Sequence, residues 1–278
     1  MGQGQDLRHL IEDQLVVAPD AHDLLTARLA EQVGFKAIYL GSYGSSATRH
    51  GLADQSLVSV AQLIKHARVV CGRVDIPLIL DLEEGGGNAV TTYRNVEAAE
   101  KAGVAALHIE DHVAGKAYGP GGTLHPIEVA ADKIRAAVDA RSEMLVIGRT
   151  EAAHVTGDPD QAIARCRAFA EAGADLVLAA GLPLEETLAL AGEVGKPVAT
   201  FGLGGATKEE LAASGVKLVL HALESTLLWY STAKGWLEHL ADTDQGIEPE
   251  LFAEAAPAVN TLMGGDQNAE LSRRYRLT

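Results

Sequence analysis

Two cysteines in 278 residues, Cys71 and Cys166, cannot build a disulfide framework, and their separation fits no cysteine-based zinc spacing. Such cysteine usage is expected in a reducing cytosol. Basic residues are scarce too. Only 23 Lys and Arg stand against 38 Asp and Glu, a formal net charge of −15, which argues against a general nucleic-acid binder. Long apolar runs are also missing. The longest, such as LVLAAGLPL from Leu176, fall far below the roughly 18 residues that a membrane span needs. The N-terminal MGQGQDLRHLIEDQ carries charge throughout, with no apolar stretch behind a basic start, so no secretory signal is expected. These absences point to a cytoplasmic protein with no membrane contact and no nucleic-acid partner.

Hydrophobic residues make up 47% of the chain and charged residues 22%, ordinary globular usage. Length alone suggests two domains of roughly 150 residues, but strand–helix barrels run to roughly 250 residues as one. Short runs rich in Val, Ile and Leu recur: QLVVA (14–18), AIYLGS (37–42), PLILDLE (77–83), ALHIED (106–111), LVIGRT (145–150), DLVLAAG (175–181), PVATFG (197–202) and KLVLHA (217–222). Each is continuously apolar, as a parallel strand covered on both faces would be. Their spacing of roughly 29 residues suits one strand, one helix and two loops. Amphipathic segments fill the gaps, and Gly34, Gly103, Gly173 and Gly215 stand where a helix would end in the left-handed conformation. The pattern predicts an α/β fold, a (β/α)8 TIM-type barrel over residues 1–244, with a doubly wound open sheet as the alternative. Residues 245–278 read as a C-terminal helical extension, ending in the basic Arg273-Arg274-Tyr275-Arg276 and packed on the barrel or on a partner subunit.

In such barrels the active site forms at the C-terminal ends of the strands. The third run ends in Asp81-Leu82-Glu83-Glu84 before Gly85-Gly86-Gly87-Asn88, and residues two apart on a strand share a face, so Asp81 and Glu83 are expected to point together. The fourth ends in His108-Ile109-Glu110-Asp111-His112. Carboxylates from adjacent strand ends form the hard-oxygen environment that Mg2+ or Mn2+ prefers, although strand-end acids also cap helices. The glycines leave room for a ligand, which brings Gly86 and Asn88 into the candidate substrate site. Arg149, ending the fifth run, reads as a clamp for a substrate carboxylate or as an ion-pair partner of the neighbouring acids. His221, ending the eighth, reads as mouth-facing or as a hydrogen-bonded structural histidine.

Taken together, Asp23-Leu-Leu-Thr-Ala-Arg28, the Gly41-Ser42-Tyr43 turn, Asp54 in HGLAD, the Asp81-Leu-Glu83 and Gly-rich segment, HIED at 108–111 and GRTEA at 148–152 resemble the isocitrate lyase / phosphoenolpyruvate mutase superfamily. The resemblance spans roughly residues 10 to 240. It implies a (β/α)8 barrel, commonly tetrameric with a C-terminal helix exchanged between subunits. It further implies Mg2+, and chemistry at C3 of a small 2-oxo or 2-hydroxy acid through an enolate. By that resemblance Asp81 would be the direct metal ligand, with Asp54, Glu83 and Glu110 holding its waters. Ser42, Tyr43 and Gly44 would offer amides to the substrate carboxylate, and Arg149 would bind it.

The chain also departs from the family. The lyases' D-x-D-x-G-[YF]-G segment becomes Asp81-Leu-Glu83-Glu84-Gly85-Gly86-Gly87. Their K-[KR]-C-G-H loop, whose thiol donates a proton, corresponds to Lys116-Ala117-Tyr118-Gly119-Pro120. Their glutamate at the end of the sixth strand corresponds to Ala179-Ala180-Gly181. The loop of the phosphonate enzymes is not found either. The expectation is a Mg-dependent carbon–carbon lyase or decarboxylase of a small dicarboxylate, with Tyr43, Tyr118, His112 or His125 as proton donor and Lys116 facing a distal carboxylate. The alternatives are C–P chemistry of the phosphoenolpyruvate mutase or phosphonopyruvate hydrolase type, or a divergent member that only binds a small carboxylate.

Overall fold

The computed structural model describes residues 2–113 and 122–276. Every predicted run contains one strand: β1 (Val16–Pro19), β2 (Ile38–Leu40), β3 (Leu78–Asp81), β4 (Ala106–Glu110), β5 (Leu145–Thr150), β6 (Leu176–Ala179), β7 (Val198–Phe201) and β8 (Val216–His221). All pairings are parallel, in the order β1-β8-β7-β6-β5-β4-β3-β2. A bridge between Asp20 and Tyr39, with the Ala21 amide donating to the Tyr39 carbonyl at 2.7 Å, brings β1 to β2. The result is a (β/α)8 barrel, and this cyclic order rules out the open doubly wound sheet.

The strands read as unbroken apolar runs because each separates two apolar compartments. Ile79, Ala106, Leu145, Ile147, Leu176, Leu178, Leu218 and Leu220 fill the barrel. Their neighbours Leu78, Leu80, Leu107, Val146, Val177 and Val219 pack outward against the helices. Leu7 and Ile11 of the first helix, Gln3–Asp13, join the interior cluster. They close the end from which the strands start, since Arg8 pairs with Asp175 just before β6 and Lys217 Nζ donates to the Glu12 carbonyl. The opposite end is left for a site. The four helix-ending glycines all have positive φ, between 89° and 103°.

After β8 the packing changes. The helices Glu224–Thr243, Pro249–Leu262 and Gly265–Arg274 bury only Thr226, while Trp229, Tyr230, Trp236 and Phe252 are exposed. The loss of burial therefore begins at residue 224, ahead of the compositional change at 245.

Candidate active site

Strand parity assembles the site. Inward positions near the C-terminal ends hold Tyr39 (β2), Asp81 (β3), His108 and Glu110 (β4), Arg149 (β5) and Phe201 (β7), and the ladder sets Asp81 beside His108 and Glu110 beside Arg149. Above this layer opens a cavity of about 960 Å³. Tyr39 and His108 stack at 5.7 Å between ring centroids, with the hydroxyl 2.9 Å from His108 Nε2 and 3.4 Å from Asp81 Oδ2. Burial and the nearby Asp81 charge raise the Tyr39 phenol well above its usual range, so it remains a hydrogen-bond donor.

Asp81 is the hub. Its Oδ2 accepts from the Ser42 hydroxyl (2.8 Å) and amide (3.2 Å), and its Oδ1 accepts from the Glu83 amide (2.9 Å). Ser42 Oγ also lies 3.1 Å from Asp54 Oδ1, which joins the second acid to the first. The Ser42 amide thus faces Asp81, which differs from the expectation that it faces a substrate carboxylate. Glu83 differs too. The chain leaves the strand after Asp81, and Glu83 takes a left-handed φ of 53°, so its position follows from a turn and not from strand alternation. Ser56 Oγ donates to its Oε2 at 3.0 Å.

Asp54, Asp81, Glu83, Glu110 and Glu151 are all buried here, with Arg149 among them. Among the described residues no three His, Cys, Asp or Glu side chains converge into a ready-made metal cluster. Hard oxygen donors in excess of cationic charge, without a preformed cage, suit an ion such as Mg2+ that takes one or two carboxylates and keeps several waters.

Arg149 lies at the centre of the acids. Its Nε and Nη2 reach Glu151 Oε1 at 2.7 and 2.5 Å, Nη2 reaches Glu110 Oε2 at 3.2 Å, and Nη1 reaches Asp81 Oδ2 at 3.7 Å. The guanidinium also lies 5.0 Å from the Phe201 ring centroid. Burial opposes its charge, but the surrounding acids outweigh burial and hold it protonated. Burial likewise pushes Glu151 up, yet Arg149 and the hydrogen bonds from His154 and Arg149 bring it down to about 2. Asp111 ties the ends of β4 and β5 together, accepting from Thr150 Oγ1 (2.6 Å), the Glu151 amide (2.9 Å) and Arg165 (3.0 Å).

The other candidates separate by position. Tyr43 and His112 line the cavity, and both buried ring nitrogens of His112 are without a hydrogen-bond partner among the described residues, Nδ1 lying 3.7 Å from Glu110 Oε1. Gly44 packs behind the turn, where a Cβ would meet His22 Cβ at 2.7 Å. Gly86, Asn88 and His221 do not line the cavity. Asn88 caps the helix Ala89–Lys101 through its Oδ1, and His221 lies 2.8 Å from Glu224. His125 pairs with Glu84 at 3.0 Å, beside the buried Lys133–Glu84 ion pair at 2.9 Å. Lys116 and Tyr118 lie outside the described residues. Sequence reasoning passed over Tyr39, Phe201 and His154. Counting inward parity back from Gly41 would have found Tyr39, and the three-residue step from Glu151 along the helix Ala152–Thr156 would have found His154.

A carboxylate-rich mouth with a largely buried arginine thus lies on the C-terminal side of a (β/α)8 barrel. Residues 7–241 match the family described as phosphoenolpyruvate phosphomutase, and the chain belongs to the isocitrate lyase / phosphoenolpyruvate mutase superfamily. The 2,3-dimethylmalate lyase of Eubacterium barkeri is 32% identical over 293 aligned residues, with 99% of each chain covered. The structure of oxaloacetate acetylhydrolase with the inhibitor 3,3-difluorooxalacetate matches with a TM-score of 0.89 and 27% identity, over 99% of this chain and 97% of that one. Phosphonopyruvate hydrolase, in a complex with oxalate and Mg2+, matches with a TM-score of 0.87 and 29% identity over 99% of each chain.

Proposed function

We propose that the protein is a Mg-dependent carbon–carbon lyase that cleaves a small 2-oxo or 2-hydroxy dicarboxylate next to C3. The observation that carries this reading is the convergence of Asp54, Asp81 and Arg149 on one cavity whose remaining wall is largely apolar. Asp81 would hold the ion, with Asp54, Glu83 and Glu110 around its waters; when bound, it supplies positive charge to the 2-oxygen of the acid. Arg149 holds the carboxylate end in a low-dielectric site, its own charge secured by Glu151 and Glu110. The Tyr39 hydroxyl and the Ser42 amide keep Asp81 in place. His112 moves a proton at its ring nitrogens to or from C3, the role that no thiol fills: Cys166 is buried, and burial pushes the Cys71 thiol up to about 11. The apolar wall of Val155, Ala180, Phe201 and Leu220 favours alkyl-substituted substrates.

The test is pyruvate release from oxaloacetate, methyl-substituted oxaloacetates, 2-methylisocitrate, dimethylmalate and phosphonopyruvate, each with Mg2+ and with EDTA. The expected outcome is metal-dependent pyruvate from an alkyl-substituted malate or an oxaloacetate, lost in Asp81→Asn without loss of fold. Turnover of phosphonopyruvate alone would favour chemistry at phosphorus. Silence across the panel with ligand binding intact would favour a member that only binds a carboxylate. We also propose a homo-oligomer in which the C-terminal helices pack on a partner subunit, supported by the exposed aromatic residues of the helix Glu224–Thr243 and its successors.

A further inference from the structure

A dicarboxylate presents two negative ends, and the described cavity lining offers few groups able to meet the second. Its side chains able to carry positive charge are Arg149, His112 and His154. Arg149 is already engaged by Glu151, Glu110 and Asp81, and His112 lies beside Glu110. His154 is placed differently. Its ring is more than half exposed to the cavity mouth, and its Nδ1 lies 2.9 Å from Glu151 Oε2, the carboxylate whose other oxygen holds Arg149. The Glu151 backbone is in turn fixed by the hydrogen bond its N–H donates to Asp111 Oδ1. This chain of contacts sets the ring's orientation and reserves Nδ1–H for Glu151, leaving Nε2 with no hydrogen-bond partner among the described residues. Gly181 makes room for the ring: a Cβ there would lie 2.2 Å from Nε2, and its φ of +73° suits glycine besides. The hydrogen bond to Glu151 also raises the imidazole above its ordinary value, which favours the cation.

We propose that His154 receives the distal carboxylate of the substrate, the one not held beside Asp81 and Arg149. This rests on the lyase reading above and narrows it to acids that carry a second carboxylate beyond C3. When the C2–C3 bond of a 2-hydroxy diacid breaks, the hydroxyl loses a proton, C2 becomes a carbonyl, and the electron pair passes to C3 and its attached carboxylate until C3 takes up a proton. A cation fixed at that carboxylate offsets the charge as it develops.

The test uses the full-length protein with Mg2+ and two probes measured by calorimetry: oxalate, which offers only the acid head, and malate, which adds the distal carboxylate. His154→Gln keeps a donor toward Glu151 but removes the charge. The expected result is malate affinity lowered about tenfold with oxalate affinity within about twofold of wild type, as for loss of one charge-assisted contact. Equal malate affinity in the two proteins overturns the proposal and leaves the lyase reading standing. Parallel loss of both probes in the variant assigns His154 a structural role and also overturns it. Failure of the wild type to bind oxalate with Mg2+ removes the lyase reading, and this proposal with it.

Discussion

Gly44 illustrates how a residue without functional atoms governs the site. Its Cα packs against His22 and Thr226, and an added methyl would lie 2.7 Å from His22 Cβ and 3.0 Å from Thr226 Oγ1. Those neighbours cannot yield easily, because Asp20 Oδ2 accepts from both Ser225 (2.7 Å) and Thr226 (3.0 Å), and Ser225 in turn contacts His22 (2.9 Å). Gly44→Ala should therefore displace the Ser42–Ser45 turn and cost about 1–3 kcal/mol, as overpacking does. Thermal unfolding reads the stability loss, and the oxalate dissociation constant should rise with it. An unchanged constant would separate the turn from the acid site. At this scale much was legible in the sequence. Asp81, Asp54, Glu110 and Arg149 were marked by strand ends and motifs, whereas the engagement of Ser42 with Asp81 and of Arg149 with Glu151 depends on side-chain directions that no spacing encodes.

Elements hold the turn from beneath. His66, on the helix Val60–Cys71, lies buried with Nδ1 3.0 Å from Ser45 Oγ. Burial first, and Arg49 second, lower its imidazole from 6.5 to about 4, so the folded protein keeps it neutral while the unfolded chain protonates below 6.5. Stability from this group is fully present above pH 6.5 and is lost as pH falls toward 4, by about 3 kcal/mol at most. Urea unfolding at pH 7, 6, 5 and 4 should show that slope in the wild type and a flatter one in His66→Gln. Equal slopes would assign the acid sensitivity elsewhere. The strands and barrel helices were visible in the sequence because apolar runs and glycine stops are local signals. The left-handed Glu83 was not, since the strand signal runs on to Glu83 whereas the strand itself ends at Asp81.

At the scale of the whole molecule, the barrel buries its core while the chain after β8 does not. Leu227, Leu228, Trp229, Trp236, Leu251 and Phe252 are exposed on successive helices, more apolar surface than a monomer ordinarily presents. Sedimentation of the full chain should show a homo-oligomer, and deletion of residues 245–278 should give a smaller or aggregating species. A monodisperse monomer for the full chain would remove the proposed packing. The sequence showed the extension by its change in composition but not that the helix Glu224–Thr243 belongs with it, because that helix is about as apolar on average as those of the barrel.

The sequence by itself determined the barrel and the candidate acids of its mouth. Period, spacing and strand-end chemistry are properties of short segments and survive without knowledge of their neighbours. Only the tertiary structure decided which acid meets which cation, that Tyr39 and Phe201 close the same layer, and that His154 shares Glu151 with Arg149. The pairings of Tyr39 with Phe201 and of Arg149 with Glu110 and Asp81 join residues from different strands, and all of these relations are settled by closure of the ring and by the direction of each side chain once it is packed.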